Sequence, residues 1–152
     1  MDVNELANKA DTLADEGNFE EAISYYDKAL ALEPSNHFIL ASKGDTLFEL
    51  GRSEESLECF DKALKLEPDD TDVLGLKAGV LAELEKVEES LPYYDKAIKI
   101  NSNDSILYSA KANALVQLGR FDEAKKLCEK SLVLDSSNQD AIELLKYLKE
   151  NS

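Results

Sequence analysis

A 34-residue period runs through this chain, and it decides what the chain can fold into. Asp27-Lys28-Ala29-Leu30 returns as Asp61-Lys62-Ala63-Leu64 and again as Asp95-Lys96-Ala97-Ile98, with a worn copy at Glu129-Lys130-Ser131-Leu132. Gly17, Gly51 and Gly119 keep the same frame, and Glu85 stands in the third slot. Pro34 and Pro68 close two units, whereas Ser102 and Ser136 replace them in the later two. Repeats at 3–36, 37–70, 71–104 and 105–138, followed by residues 139–152, fill the chain as one domain.

Each unit predicts two helices. Leu6, Ala10 and Leu13 fall on one face of a 3.6-residue helix, and Gly17-Asn18 breaks the pattern as a helix end. A second run carries Ala22, Ile23, Tyr26, Ala29 and Leu30 until Pro34 stops it. Turns this short make the two helices antiparallel neighbours. One such hairpin cannot bury its apolar side alone, but stacked copies can. In repeat 3, Pro92 falls inside the second helix and predicts a kink, and Glu85 must manage a turn that favours glycine. Residues 139–152 predict one more amphipathic helix. Ala141, Leu144, Leu145 and Leu148 face inward; Gln139, Glu143, Lys146 and Glu150 face solvent, as on the polar cap that an open repeat end requires.

Composition agrees with an all-α fold. Apolar residues make up 43% and charged residues 32%, with no tryptophan and three prolines. The net charge of −15 argues against nucleic acid or an anionic membrane as partner. It is uneven: residues 1–36 hold two Lys and nine acids, whereas residues 105–138 hold five Lys or Arg and four acids. The opening Met1–Ala10 carries acids where a signal peptide would carry positive charge, and no apolar run reaches membrane-spanning length. A cytoplasmic, free-standing protein is the expectation.

The repeated residues resemble the tetratricopeptide repeat (TPR) family. First halves read Leu6-x2-Lys9-Ala10-x2-Leu13, Leu40-x2-Lys43-Gly44-x2-Leu47, Leu74-x2-Lys77-Ala78-x2-Leu81 and Tyr108-x2-Lys111-Ala112-x2-Leu115. Second halves read Ala22-x3-Tyr26, Ser56-x3-Phe60, Ser90-x3-Tyr94 and Ala124-x3-Cys128. The resemblance covers residues 3–138 and implies a right-handed superhelical solenoid of antiparallel helix pairs. It also implies a non-catalytic scaffold or adaptor that binds a peptide or helical segment of another protein in a concave groove. A self-assembling module, with weak self-association, and a non-catalytic subunit of a complex are the alternatives.

By the family's register, the groove-facing residues are Asn4, Asn8, Asp11 and Asp15 in repeat 1 and Phe38, Ser42, Asp45, Phe48 and Glu49 in repeat 2. Asp72, Leu76 and Glu83 follow in repeat 3, and Ile106, Asn113 and Val116 in repeat 4. Smaller side chains at Ala7, Ala14, Ala41, Gly75, Gly79, Ala82, Ser109 and Ala110 leave the floor open. Carboxylates concentrate toward the front and no cation appears, so the expected ligand is an apolar peptide with basic residues lying toward repeats 1 and 2. Relatives that clamp acidic chaperone tails do so with Lys, Asn and Arg. The matching slots here hold Ala7, Asp11, Ser42, Asp72 and Leu76, which repel such a tail.

No residue pattern points to catalysis, a cofactor or a metal. His37, the sole histidine, reads as a solvent-facing turn residue, and Cys59 and Cys128 read as packing residues two repeats apart. The pairs Glu20-Glu21, Glu54-Glu55 and Glu88-Glu89 begin second helices, where carboxylates favour the helix dipole. Lys9, Lys43, Lys77 and Lys111 occupy a slot that the family fills with Leu. Each is expected to lay its stem on the core and reach a carboxylate of the Asp27, Asp61, Asp95 and Glu129 series.

Overall fold

The computed structural model describes residues 1–151, and among these it contains nine α-helices and no strand. First helices are α1 (Val3–Asp15), α3 (His37–Glu49), α5 (Thr71–Glu83) and α7 (Ser105–Gln117). Second helices are α2 (Phe19–Leu32), α4 (Ser53–Leu66), α6 (Val87–Ile100) and α8 (Phe121–Leu134). The chain closes with α9 (Gln139–Glu150), and the expected helix end at Ser152 lies outside the described residues.

An aspartate or asparagine stands before each first helix and before α9. Asp2, Asn36, Asp104 and Asn138 each accept a hydrogen bond from a backbone N–H of the helix they cap, and Asp70 does so from Asp72 and Val73. First helices end in left-handed turns. Gly17, Gly51 and Gly119 have φ of +79°, +77° and +72°. Gly17 N–H donates to Ala14 O and Asn18 N–H to Leu13 O, the paired bonds that satisfy the last helical carbonyls. Glu85 takes φ +62° and makes the same two bonds, through its own N–H to Ala82 O and through Lys86 N–H to Leu81 O. The turn therefore keeps its shape without glycine.

Helix α6 runs through Pro92 as one element of fourteen residues, the length of α2, α4 and α8, so the proline does not interrupt it. The ring is exposed, and the carbonyl deprived of a donor is that of Glu88 one turn earlier, itself an exposed residue.

The fold divides into two compact units, Met1–Leu76 and Lys77–Ser152, with the division inside α5. In the first unit α1 packs on α2 and α3, α2 on α3, and α3 on α4. Its core includes Leu6, Ala10, Leu13, Tyr26 and Ile39, with a second cluster of Ile23, Leu47 and Cys59. In the second unit α6 packs on α7, α7 on α8, and α9 on both α7 and α8. Its core runs from Ala78 and Tyr94 through Ala112, Leu115 and Cys128 to Leu148 on α9. The small slots are needed where helices meet closely. A Cβ at Gly44 would lie 2.8 Å from a ring carbon of the buried Phe60.

Candidate functional site

In the first unit, α1 carries Asn4, Asn8, Asp11 and Asp15, and α3 carries Phe38, Ser42, Asp45, Phe48 and Glu49. All four α1 residues are exposed, as are Asp45 and Glu49, whereas Ser42 and Phe48 are half-buried. Phe38 is 71% exposed, and its ring lies tilted by 36° to that of His37 with centroids 3.9 Å apart. Asp72 and Leu76 lie exposed on the first part of α5. The buried Tyr26 of α2 ties the floor together, its hydroxyl donating to Asp11 Oδ1 at 2.6 Å. Burial and this carboxylate hold the Tyr26 phenol protonated far above its ordinary range. Surrounding protein and the Glu49 carboxylate push the Asp45 carboxyl up, so a cation arriving there would relieve a like-charge pair.

His37 is not a solvent-facing turn residue. Its side chain is 22% exposed, and Nδ1 lies buried without a hydrogen bond, 3.7 Å from Asp70 Oδ2. As the first residue of α3 it follows the Asn36 cap and lies beside Asp70, the residue before α5.

In the second unit, the other predicted groove residues are Glu83 at the end of α5 and Ile106, Asn113 and Val116 on α7. Glu83 and Asn113 come together in an open cleft of about 450 Å³, within the size range of ligand sites. Small floor residues Gly79, Ala82, Ser109 and Ala110 line it as well. Ile106 does not line the cleft and projects 68% exposed, and Val116 packs half-buried against the core.

The far wall is α9, which contributes Asp140, Glu143, Leu144 and Tyr147. Glu143 is exposed, as expected, and also lines the cleft, where one of its oxygens accepts from Gln139 Nε2 at 2.9 Å. These four residues escaped the sequence reading, which treated α9 as a cap alone. The period contained the signal, because Asp140, Glu143, Leu144 and Tyr147 stand 34 residues after Ile106, Ser109, Ala110 and Asn113. Helix α9 occupies the register of a fifth first helix. A buried polar network seats it: Asn138 Nδ2 donates to Ser105 Oγ at 2.6 Å, Asn138 Oδ1 accepts from Ala141 N–H, and Ser131 Oγ donates to Ser105 O.

Tyr94 of α6 is 3% exposed, and its side chain reaches the cleft. Burial, with a smaller contribution from the Glu83 carboxylate, pushes its phenol up to about 12. Two of the repeated lysines reach a carboxylate as expected: Lys43 Nζ meets Asp27 at 2.6 Å, and Lys111 pairs with Asp95 in the same way. Lys77 Nζ donates to the Tyr93 hydroxyl at 2.8 Å. Cys59 and Cys128 are buried free thiols, pushed up by burial, as packing residues should be. Among the described residues, no cluster of His, Cys, Asp and Glu could hold a metal, and no helix is long and apolar enough to cross a membrane.

The family model of the Psidin N-terminal TPR repeats region matches residues 11–130. The chain belongs to this TPR family. A comparison with curated proteins found no match. Among solved structures, the TPR chain is similar to MamA 41-end from Desulfovibrio magneticus RS-1, with 21% identity, a TM-score of 0.87, and coverage of 98% of this chain and 84% of that one. It is also similar to YrrB, described as a TPR protein with an unusual peptide-binding site, at 26% identity and a TM-score of 0.76, covering 96% and 75%. A third similar structure is the first TPR of Spaghetti (RPAP3) bound to the HSP90 peptide SRMEEVD, at 24% identity and a TM-score of 0.72, covering 76% and 91%. These likenesses establish the fold class of this TPR chain as an all-α helical-repeat solenoid. Such folds are in general non-catalytic protein–protein interaction modules.

Proposed function

We propose that the chain is a cytoplasmic adaptor that holds a peptide or helical segment of another protein on the faces of its first helices. The observation that carries this reading is the cleft of the second unit. Its lining comes from groove-register positions of α5, α7 and α9, with Tyr94 behind them, and mixes small floor residues, an apolar wall and three carboxylates. That mixture suits a side-chain-bearing peptide better than a reacting small molecule, because no nucleophile–base pair faces the cleft. YrrB and the RPAP3 repeat are both described as binding peptides, which agrees with the reading.

The segment should be apolar with basic residues. In the first unit Phe38, Phe48 and Leu76 offer apolar contacts, Asp11, Asp15, Asp45, Glu49 and Asp72 attract Lys or Arg, and Asn4, Asn8 and Ser42 supply hydrogen bonds; in the second unit Ile106 and Val116, Glu83 and Asn113 offer the same three kinds of contact. An acidic tail like SRMEEVD would meet Asp11 and Asp72 where a clamp needs cations.

A peptide array probed with the intact chain at low and high salt tests the proposal. Basic, apolar peptides should bind best, and more weakly at high salt. Phe48→Ala should lower affinity by removing a contact, and Asp45→Lys should slow association and erode the basic preference. Preferential binding of acidic peptides, or tighter binding by Asp45→Lys, would sink the assignment.

A further inference from the structure

Two tyrosines in the same repeat position have different fates. Tyr26 donates to Asp11, but 68 residues on, where Tyr94 stands, the counterpart of Asp11 is Gly79. A Cβ on Gly79 would lie 3.9 Å from the Tyr94 hydroxyl, so the missing side chain is the one that would have reached it. Tyr94 is 3% exposed, and its hydroxyl makes no hydrogen bond among the described residues while its side chain lines the cleft. The ring is buried while the hydroxyl opens on the cleft without a protein partner, so it is free to donate to an acceptor on a ligand. The raised phenol keeps its proton at every physiological pH.

The rest of the cleft selects charge. Glu83, Asp140 and Glu143 line it, and no Lys, Arg or His does. Between them, Leu144 and the Tyr147 ring present apolar surface along which an aliphatic stem can lie, and an aromatic face attracts a cation. We propose that this cleft receives one lysine or arginine side chain of the bound segment: Glu83, Asp140 and Glu143 surround its cation, and the Tyr94 hydroxyl donates to that residue's main-chain carbonyl. The inference rests on the protein-binding reading and sharpens it. It moves a basic anchor into the second unit, whereas the charge of the first repeats alone would draw basic residues toward α1 and α3.

The test uses the ¹⁵N-labelled full chain and three small probes: the N-acetyl amides of arginine, lysine and the uncharged norleucine. The backbone amides of Glu83, Asn113, Asp140, Glu143 and Tyr147 should shift in saturable fashion with arginine or lysine amide and not with norleucine amide. Tyr94→Phe, which keeps the ring in the core, should weaken the basic probes by about threefold to tenfold, the range of one hydrogen bond. Glu83→Gln, an exposed change that leaves packing untouched, should weaken them by a similar factor. Equal shifts with norleucine amide, shifts confined to the first unit, or affinities unmoved by both variants would overturn the proposal. The probes need no partner protein, so a peptide array without binders would defeat the broader reading and leave this result legible on its own.

Discussion

Gly44 and Gly79 sit inside first helices, yet a methyl group would have opposite effects at the two positions. At Gly44 a Cβ would stand 2.8 Å and 3.0 Å from Phe60 ring carbons and 3.2 Å from Cys59 Cβ, all in buried side chains with no room to retreat. At Gly79 the nearest atom is 3.9 Å away, an ordinary contact. Alanine gains about 1 kcal/mol of helix propensity over glycine at either place. Overpacking a core costs about 1–3 kcal/mol. Gly44→Ala should therefore destabilise the fold on balance, whereas Gly79→Ala should stabilise it by up to about 1 kcal/mol. Paired urea titrations read both signs, and a stabilised Gly44→Ala would mean that Phe60 shifts more freely than its burial implies.

Among the elements, the turn between α5 and α6 is the one built against residue preference. Glu85 adopts a left-handed conformation that its counterparts leave to glycine, held there by the same pair of backbone bonds that close the other turns. An L-residue in that conformation costs about 1–2 kcal/mol. Glu85→Gly should relieve most of this and raise stability by about 1 kcal/mol, a net value reduced by the greater freedom of glycine in the unfolded chain. Thermal unfolding of the variant measures it, and a lowered midpoint would show that the Glu85 side chain makes a contact worth more than the strain. The neighbouring α6 shows why a local rule must be read with its surroundings. Pro92 removes one hydrogen bond, but the flanking Leu91 and Tyr94 are buried in the core, and their packing keeps the helix whole.

For the whole molecule, the charge balance sets a different kind of expectation. The net charge is −15, with nine acids against two lysines in the first 36 residues. Ion pairs such as Lys43–Asp27 and Arg52–Glu55 offset part of the repulsion, but they sit at the surface, where solvent screens them and each contributes little. Salt screens both effects, and the excess of like charge outweighs the few pairs. Added sodium chloride should consequently raise the unfolding midpoint at neutral pH, as followed by circular dichroism. A midpoint that falls steadily with salt would place the ion pairs above the repulsion.

A 34-residue period carries its own register, and much of this protein follows from that alone. It places the helices, the turn positions of Gly17, Gly51, Glu85 and Gly119, the small residues at Ala10, Gly44, Ala78 and Ala112, and the lysines that reach a carboxylate at Lys43 and Lys111. These are local matters, decided by spacing along one helix or by the fit between adjacent repeats. The cleft was only partly legible. Glu83 and Asn113 were within reach of the repeat register, as Asp140, Glu143, Leu144 and Tyr147 would have been had the period been carried one unit further into α9. Tertiary structure decided the rest. It decided that His37 folds in beside Asp70, that Asn138 seats α9 through Ser105, and that the Tyr94 hydroxyl has no partner where Gly79 replaces an aspartate. Each depends on what stands across a helix–helix contact. A sequence states the spacing of side chains along one chain, but packing alone states which of them meet.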